Sequence, residues 1–151
     1  MKRMFLPLIG VLAVAALAVA PAVVASSPHY LRGPTGTVEG NSLVVTWKAA
    51  GLGNAVDTVD FTLTGTATVQ SQCFTRSGNP VNGVPKSETT NINATGTFDV
   101  RNGQVTGRIE VSPLSTLTCT GNQQVRILSV SFSNLTLNGD DLPPTPVTVT
   151  D

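Results

Sequence analysis

The chain has 151 residues, with nine Lys and Arg against nine Asp and Glu, one His and two Cys. Its first 25 residues read as a leader, which leaves about 126 for folding and limits them to one compact unit. That remainder keeps seven of the nine basic residues beside all nine acidic ones, a formal charge of −2, and without clustered Lys and Arg a nucleic-acid partner is excluded. One His and two Cys are too few for a Cys/His zinc site or an iron–sulfur cluster, so no metal and no cofactor is expected.

The leader, residues 1–25, opens with Lys2 and Arg3, continues as an Ala-rich apolar run and ends in Val23, Val24 and Ala25. Small residues at those positions suit a signal peptidase, so the expectation is export with cleavage after Ala25 and no membrane attachment afterwards. An uncleaved anchor is the alternative, because residues 4–25 are about long enough to span a bilayer. In an exported chain Cys73 and Cys119 pair most simply as one disulfide, closing a loop of about 47 residues worth roughly 4 kcal/mol.

Residues 26–36, with Pro28, Gly33, Pro34 and Gly36, show no apolar period and read as a flexible N-terminal arm. A β-sandwich domain is then expected over residues 37–151. Leu43, Val45, Trp47 and Ala49 alternate with Val44, Thr46 and Lys48, the signature of a half-buried strand. Over residues 58–73 the alternation continues: Val59, Phe61, Leu63, Ala67, Val69 and Cys73 share one face, and a row of Thr with Gln70 and Gln72 lies on the other. Sixteen residues are long for one strand, so Gly65 is expected to mark a bend or bulge.

Asn102-Gly103 suits the positive φ angles of a type I′ turn. Pairing outward from it as a hairpin sets Val100 opposite Val105, Phe98 opposite Gly107, Gly96 opposite Ile109 and Ala94 opposite Val111. A short segment at Leu117 and Cys119 follows. Next comes a strand over residues 125–137 whose apolar phase slips between Ile127 and Leu128, the mark of a bulge. A turn at residues 138–141 and a last strand at Val147 and Val149 end the chain. With no 3.6-residue period after the leader, the fold expected is all-β: a two-sheet antiparallel β-sandwich, immunoglobulin-like or Greek-key, with one disulfide.

Candidate chemistry is sparse. His29 lies in the arm, a poor mount for a catalytic base. Asp57 and Asp60 fall on opposite faces of an extended segment, and Asp99, Arg101, Arg108 and Glu110 read as a surface charge ladder. Asn138, Asp140 and Asp141 offer oxygen ligands for Ca²⁺ at a loop tip, but the same residues are ordinary turn formers. Trp47, Phe61 and Phe98 fall on apolar faces and read as core. The loop over residues 75–88 is polar and anchored at Cys73, so Phe74, Arg76, Asn79, Asn82 and Lys86 are the expected ligand contacts.

The run Ala50-Gly51-Leu52-Gly53-Asn54, with Thr64-Gly65-Thr66-Ala67-Thr68 and the lone Cys73, resembles a scattered set of small secreted single-domain β-sandwich proteins of no known activity. It also looks loosely like an immunoglobulin domain, although Trp47 precedes the first Cys instead of lying between the two. The functional expectation is a secreted, non-enzymatic binding, adhesion or surface-structural module with an extracellular ligand or surface as its partner. Two alternatives stay open: a cell-envelope subunit that self-associates by lending its arm to a neighbour's sheet, and a small carbohydrate-binding module or hydrolase.

Overall fold

The computed structural model describes residues 27–150. The leader expected at residues 1–25 therefore lies outside the described residues. Eight strands and no helix make up the described chain: β1 (His29–Glu39), β2 (Ser42–Ala50), β3 (Thr58–Phe74), β4 (Lys86–Asp99), β5 (Val105–Val111), β6 (Gln124–Gly139), β7 (Thr145–Pro146) and β8 (Thr148–Thr150). They form two sheets packed as a sandwich. Sheet A has the order β5-β2-β1-β8 and sheet B the order β4-β3-β6-β7. All pairings are antiparallel except that of β1 with β8, where Thr35 to Thr37 meet Thr148 to Thr150 in parallel.

The core lies where period-2 patterning places it. Leu43, Val45, Trp47 and Ala49 of β2 face Val59, Phe61, Leu63 and Ala67 of β3, joined by Ile92, Val105, Ile109, Leu135 and Leu137. Trp47 is 1% exposed. Its ring centroid lies 4.7 Å from that of Phe61 and 5.1 Å from that of Phe98, spacings at which tilted and edge-to-face aromatic pairs add to the burial energy.

Two sequence expectations are corrected here. Residues 29–36 are not a free arm: they belong to β1, which pairs with β2 from His29↔Ala50 to Glu39↔Ser42. Pro34 and Gly36, the residues that hide the period, are both buried. Gly36 sits beneath Leu43, Val147 and Val149, where a Cβ would press on all three side chains. Register shifts on both sides of Arg32 bring Pro34 to an irregular stretch of the ladder, where its missing N–H costs little.

The second correction concerns Asn102-Gly103. The turn is there, with φ +52° and +69°, and Arg101 bridges Gln104 across it. Beyond that single bridge the two strands diverge into different sheets. β4 pairs with β3, so that Phe98 meets Val59, while β5 pairs with β2, so that Gly107 meets Trp47. The expected partners across Asn102-Gly103 face one another through the core instead of lying side by side. Parity alone cannot distinguish the two arrangements, because both turn the same residues inward.

The bulge expected in β6 is present. Opposite Gln70 and Ser71 of β3, the β6 register jumps from Ser129 to Ile127, leaving Leu128 unpaired. A second shift opposite Thr64 and Thr66 leaves Asn134 and Leu135 facing Gly65, with Asn134 at φ +53°. The irregularity expected at Gly65 thus resides mainly in the partner strand, and Leu135 packs into the space that a Cβ on Gly65 would take.

β3 is longer than the sheet packed against it. Past Ala67 its inward face is no longer roofed by sheet A; residues 112–123, which carry no strand, fold across it. Ser112 leaves the end of β5 bonded to the Ser42 hydroxyl at 2.7 Å, and the segment ends tied to β3 by the Cys73–Cys119 disulfide. The bridge joins a strand to this roof and not sheet to sheet, and both cysteines are half-buried at the rim.

Candidate functional site

The overhang of sheet B and its irregular roof create a concavity beside the disulfide. Ser71 continues the inward phase of β3 with a hydroxyl where the pattern otherwise sets a hydrophobe, and it is 0% exposed. A buried hydroxyl needs a partner, and Ser71 Oγ lies 2.6 Å from Ser115 Oγ in the roof. Ser115 Oγ donates to Glu88 Oε2 at 3.0 Å and accepts from the Leu117 N–H at 3.0 Å.

Glu88 is the centre of this network. The β3–β4 register sets Glu88 opposite Val69 and Lys86 opposite Ser71, so both charges point inward beneath the roof. Glu88 accepts from the Thr116 hydroxyl, from the Thr116 N–H at 3.0 Å and from Ser115, and it pairs with Lys86 Nζ at 3.0 Å. The Thr116 hydroxyl, then Lys86, hold its carboxyl down to about 2, with the remaining roof donors adding to them.

Beside this network lies a cavity of about 240 Å³, lined by Ser71, Gln72 and Cys73 of β3, residues 81–84, Lys86, Leu117 to Thr120 and Gln123. Its walls alternate amide, hydroxyl and ammonium groups with Val81, Val84 and Leu117. It is smaller than the roughly 300–1,000 Å³ of pockets that hold drug-sized ligands. One ring or one residue of a polymer is the scale it suits.

The expected ligand loop divides in two. Asn82 and Lys86 line the cavity. Phe74, Arg76 and Asn79 do not. Phe74 lies on the opposite face of the overhang beneath the Arg126 guanidinium, 4.9 Å from its ring centroid, a cation–π contact that the sequence reading missed. Asn79 closes a tight turn, its carbonyl accepting from the Thr75 N–H at 2.8 Å, while Arg76 is exposed. The loop is also tied down: the Gln72 amide donates to the Val81 and Gly83 carbonyls at 3.1 and 3.2 Å.

Sequence reasoning did not single out Ser71, Gln72, Thr118 and Gln123, which line the cavity, nor Ser115, which bonds to Ser71 beside it. The available signal was Ser71 itself, a polar residue in an inward phase.

A second hollow of about 430 Å³ at the Asn102-Gly103 corner is lined by Lys48, Asp99, Arg101, Gln104 and Thr106. Neither cavity gathers Asp57, Asp60, Glu88 or Asp140. Among the described residues no three His, Cys, Asp or Glu converge to hold a metal ion. Residues 139–142 form a turn closed by the Leu142 N–H on the Gly139 carbonyl at 3.1 Å, with Asp141 at φ +61°. His29 begins β1, its Nδ1 2.8 Å from the Ser27 carbonyl.

The disulfide is compatible with an oxidising, extracellular setting. No helix among the described residues is long and apolar enough to cross a membrane. No protein-family model, no curated protein and no solved structure matches the chain.

Proposed function

We propose that this chain is a secreted, non-enzymatic binding module whose ligand enters the cavity beside the disulfide. The observation that carries the reading is the construction of that cavity. A strand overhang, a roof locked by Cys73–Cys119 and the Glu88 network hold a set of hydrogen-bonding side chains around a hollow of about 240 Å³. Pre-organised donors and acceptors with a few apolar walls favour one unit of a hydroxyl-rich polymer, such as a glycan terminus on an extracellular surface.

The chemistry of Glu88 supports a binding role over a hydrolytic one. A general acid at neutral pH needs a raised pKa, whereas the roof donors and Lys86 hold Glu88 ionised down to about 2. It acts as a brace. Export through the leader at residues 1–25, followed by oxidation of the two cysteines, fits this role.

The test is a glycan and peptide array probed with the oxidised chain and with an Asn82→Ala/Gln123→Ala variant. Both side chains line the cavity outside the Glu88 network, so the variant should keep its melting temperature and lose array binding at least about tenfold. Undiminished binding by the variant would move the site elsewhere. Turnover of any glycan or peptide would overturn the non-enzymatic reading.

A further inference from the structure

The four outermost strands of the sandwich are not equally protected, and the difference points to a partner. An open edge presents unpaired N–H and C=O groups and is normally blunted by charge, Pro, bulges or brevity. β8 has three residues. β5 has seven, among them Arg108 and Glu110, joined as an ion pair at 2.9 Å. β7 covers only Thr136 and Leu137 of β6, but the uncovered remainder of β6 is broken by register shifts at two places and carries Arg126. β4 keeps its charges, Lys86, Glu88 and Asp99, at its two ends and leaves its middle unprotected. It runs 14 residues without a register shift, and from Thr89 to Phe98 it contains no charge and no Pro.

The direction of its free hydrogen-bonding groups follows from one contact. The Val100 N–H donates to the Asp57 carbonyl at 2.8 Å, one step beyond the Thr58↔Asp99 pair. Antiparallel ladders alternate bonded and non-bonded pairs, so even-numbered residues of β4 bond to β3. The odd-numbered ones, from Ser87 to Asp99, direct their N–H and C=O away from the sheet. Their side chains share the solvent face of β4 and are Ser, Thr and Asn until Asp99.

We infer that this edge pairs with the same edge of a second copy of the chain, about a two-fold axis through Asn93, joining two B sheets into one. A two-fold perpendicular to the sheet keeps each inward face on the same side. Asn93 then meets Asn93, Asn91 meets Thr95, Thr89 meets Thr97 and Ser87 meets Asp99, each pair directing its backbone groups at the other. Every one of these pairs exchanges two hydrogen bonds, so the ladder supplies at least the ten or so of a typical whole interface. Charge does not oppose the match: Asp99 of one copy arrives at the Ser87 hydroxyl of the other, the Lys86–Glu88 ion pair lies on the inward face, and no like charges are directly opposed. A second copy is the occupant that this symmetry fits, because the neutral stretch is self-complementary along its length. The inference is independent of the cavity.

The experiment uses the oxidised chain, in sedimentation velocity over serial dilution from millimolar to micromolar, with two register-specific variants. Asn91→Lys/Thr95→Lys sets ammonium groups opposite one another across the axis, and Asn91→Lys/Thr95→Glu sets Lys opposite Glu. The wild type should sediment as a dimer that dissociates on dilution. The Lys/Lys variant should dissociate at least about tenfold more readily, and the Lys/Glu variant should remain a dimer. Melting temperatures check that both variants fold. Asn93→Pro, which removes an N–H that has no partner within the chain, gives a second route to the monomer. A wild type monomeric throughout, a Lys/Lys variant as dimeric as the wild type, a Lys/Glu variant that dissociates like Lys/Lys, or growth into filaments would each overturn the inference.

Discussion

Trp47 and Gly107 are paired across β2 and β5, and the indole ring occupies the space that a Cβ on Gly107 would need. The largest side chain of the core is therefore seated by the absence of one on its neighbour. Phe61 and Phe98 close around the same ring. Gly107→Ala should destabilise the fold by about 1–3 kcal/mol through overpacking, read as a lowered midpoint in denaturant with an unchanged slope. An unaffected midpoint would mean that the indole has another rotamer available.

Gly103 lies at φ +69°, and its carbonyl accepts from the Leu52 N–H at 3.2 Å, so the corner between the sheets docks on the loop after β2. A β-branched side chain resists that backbone conformation. Gly103→Val should cost more than about 1 kcal/mol, measurable by thermal melting. A neutral melting temperature would show that the corner tolerates a different turn.

Glu88 gives the protein an acid-sensitive brace. Its folded pKa, about 2, is depressed below the ordinary 4.5. The stabilisation it supplies is thus fully present above about pH 5 and is lost as the pH falls through 4.5 towards 2. Glu88→Gln should be less stable than wild type at neutral pH, and the gap between the two melting temperatures should close across that window. Parallel curves from pH 7 to 2 would remove Glu88 from the account.

The disulfide fastens the roof more than the sandwich. Cys73→Ala/Cys119→Ala should cost about 2–4 kcal/mol of stability. It should also raise amide exchange first in residues 113–123, ahead of β2 and β3, because the roof has no ladder of its own. Uniform acceleration across the sheets would show that the bridge serves the whole sandwich equally.

Much of this architecture is legible from alternation alone. The inward residues of β2 and β3, the bulge after Ile127, the turn at Asn102-Gly103 and the pairing of the two cysteines all follow from period, turn chemistry and count. These are properties of neighbouring residues, and the pleat translates them directly into faces. Of the residues singled out at Phe74 and in the loop over residues 75–88, only Asn82 and Lys86 reach the cavity.

What alternation cannot carry is which strand lies beside which. Phe98 and Gly107 point inward whether they pair in one sheet or meet across the core, and only the choice of Val59 and Trp47 as their neighbours decides it. β1 was hidden for a related reason: Pro34 and Gly36 contribute little apolar signal, and they are buried because Leu43, Val147 and Val149, distant in sequence, close over Gly36. The cavity depends on the same kind of fact. It exists because β3 outruns sheet A and residues 112–123 cover the excess, a difference in length between packed layers that the sequence of neither layer contains. The sequence by itself determined the faces; the tertiary structure decided the partners, since burial fixes a residue's side of the sheet while pairing is settled by competition among all strands at once.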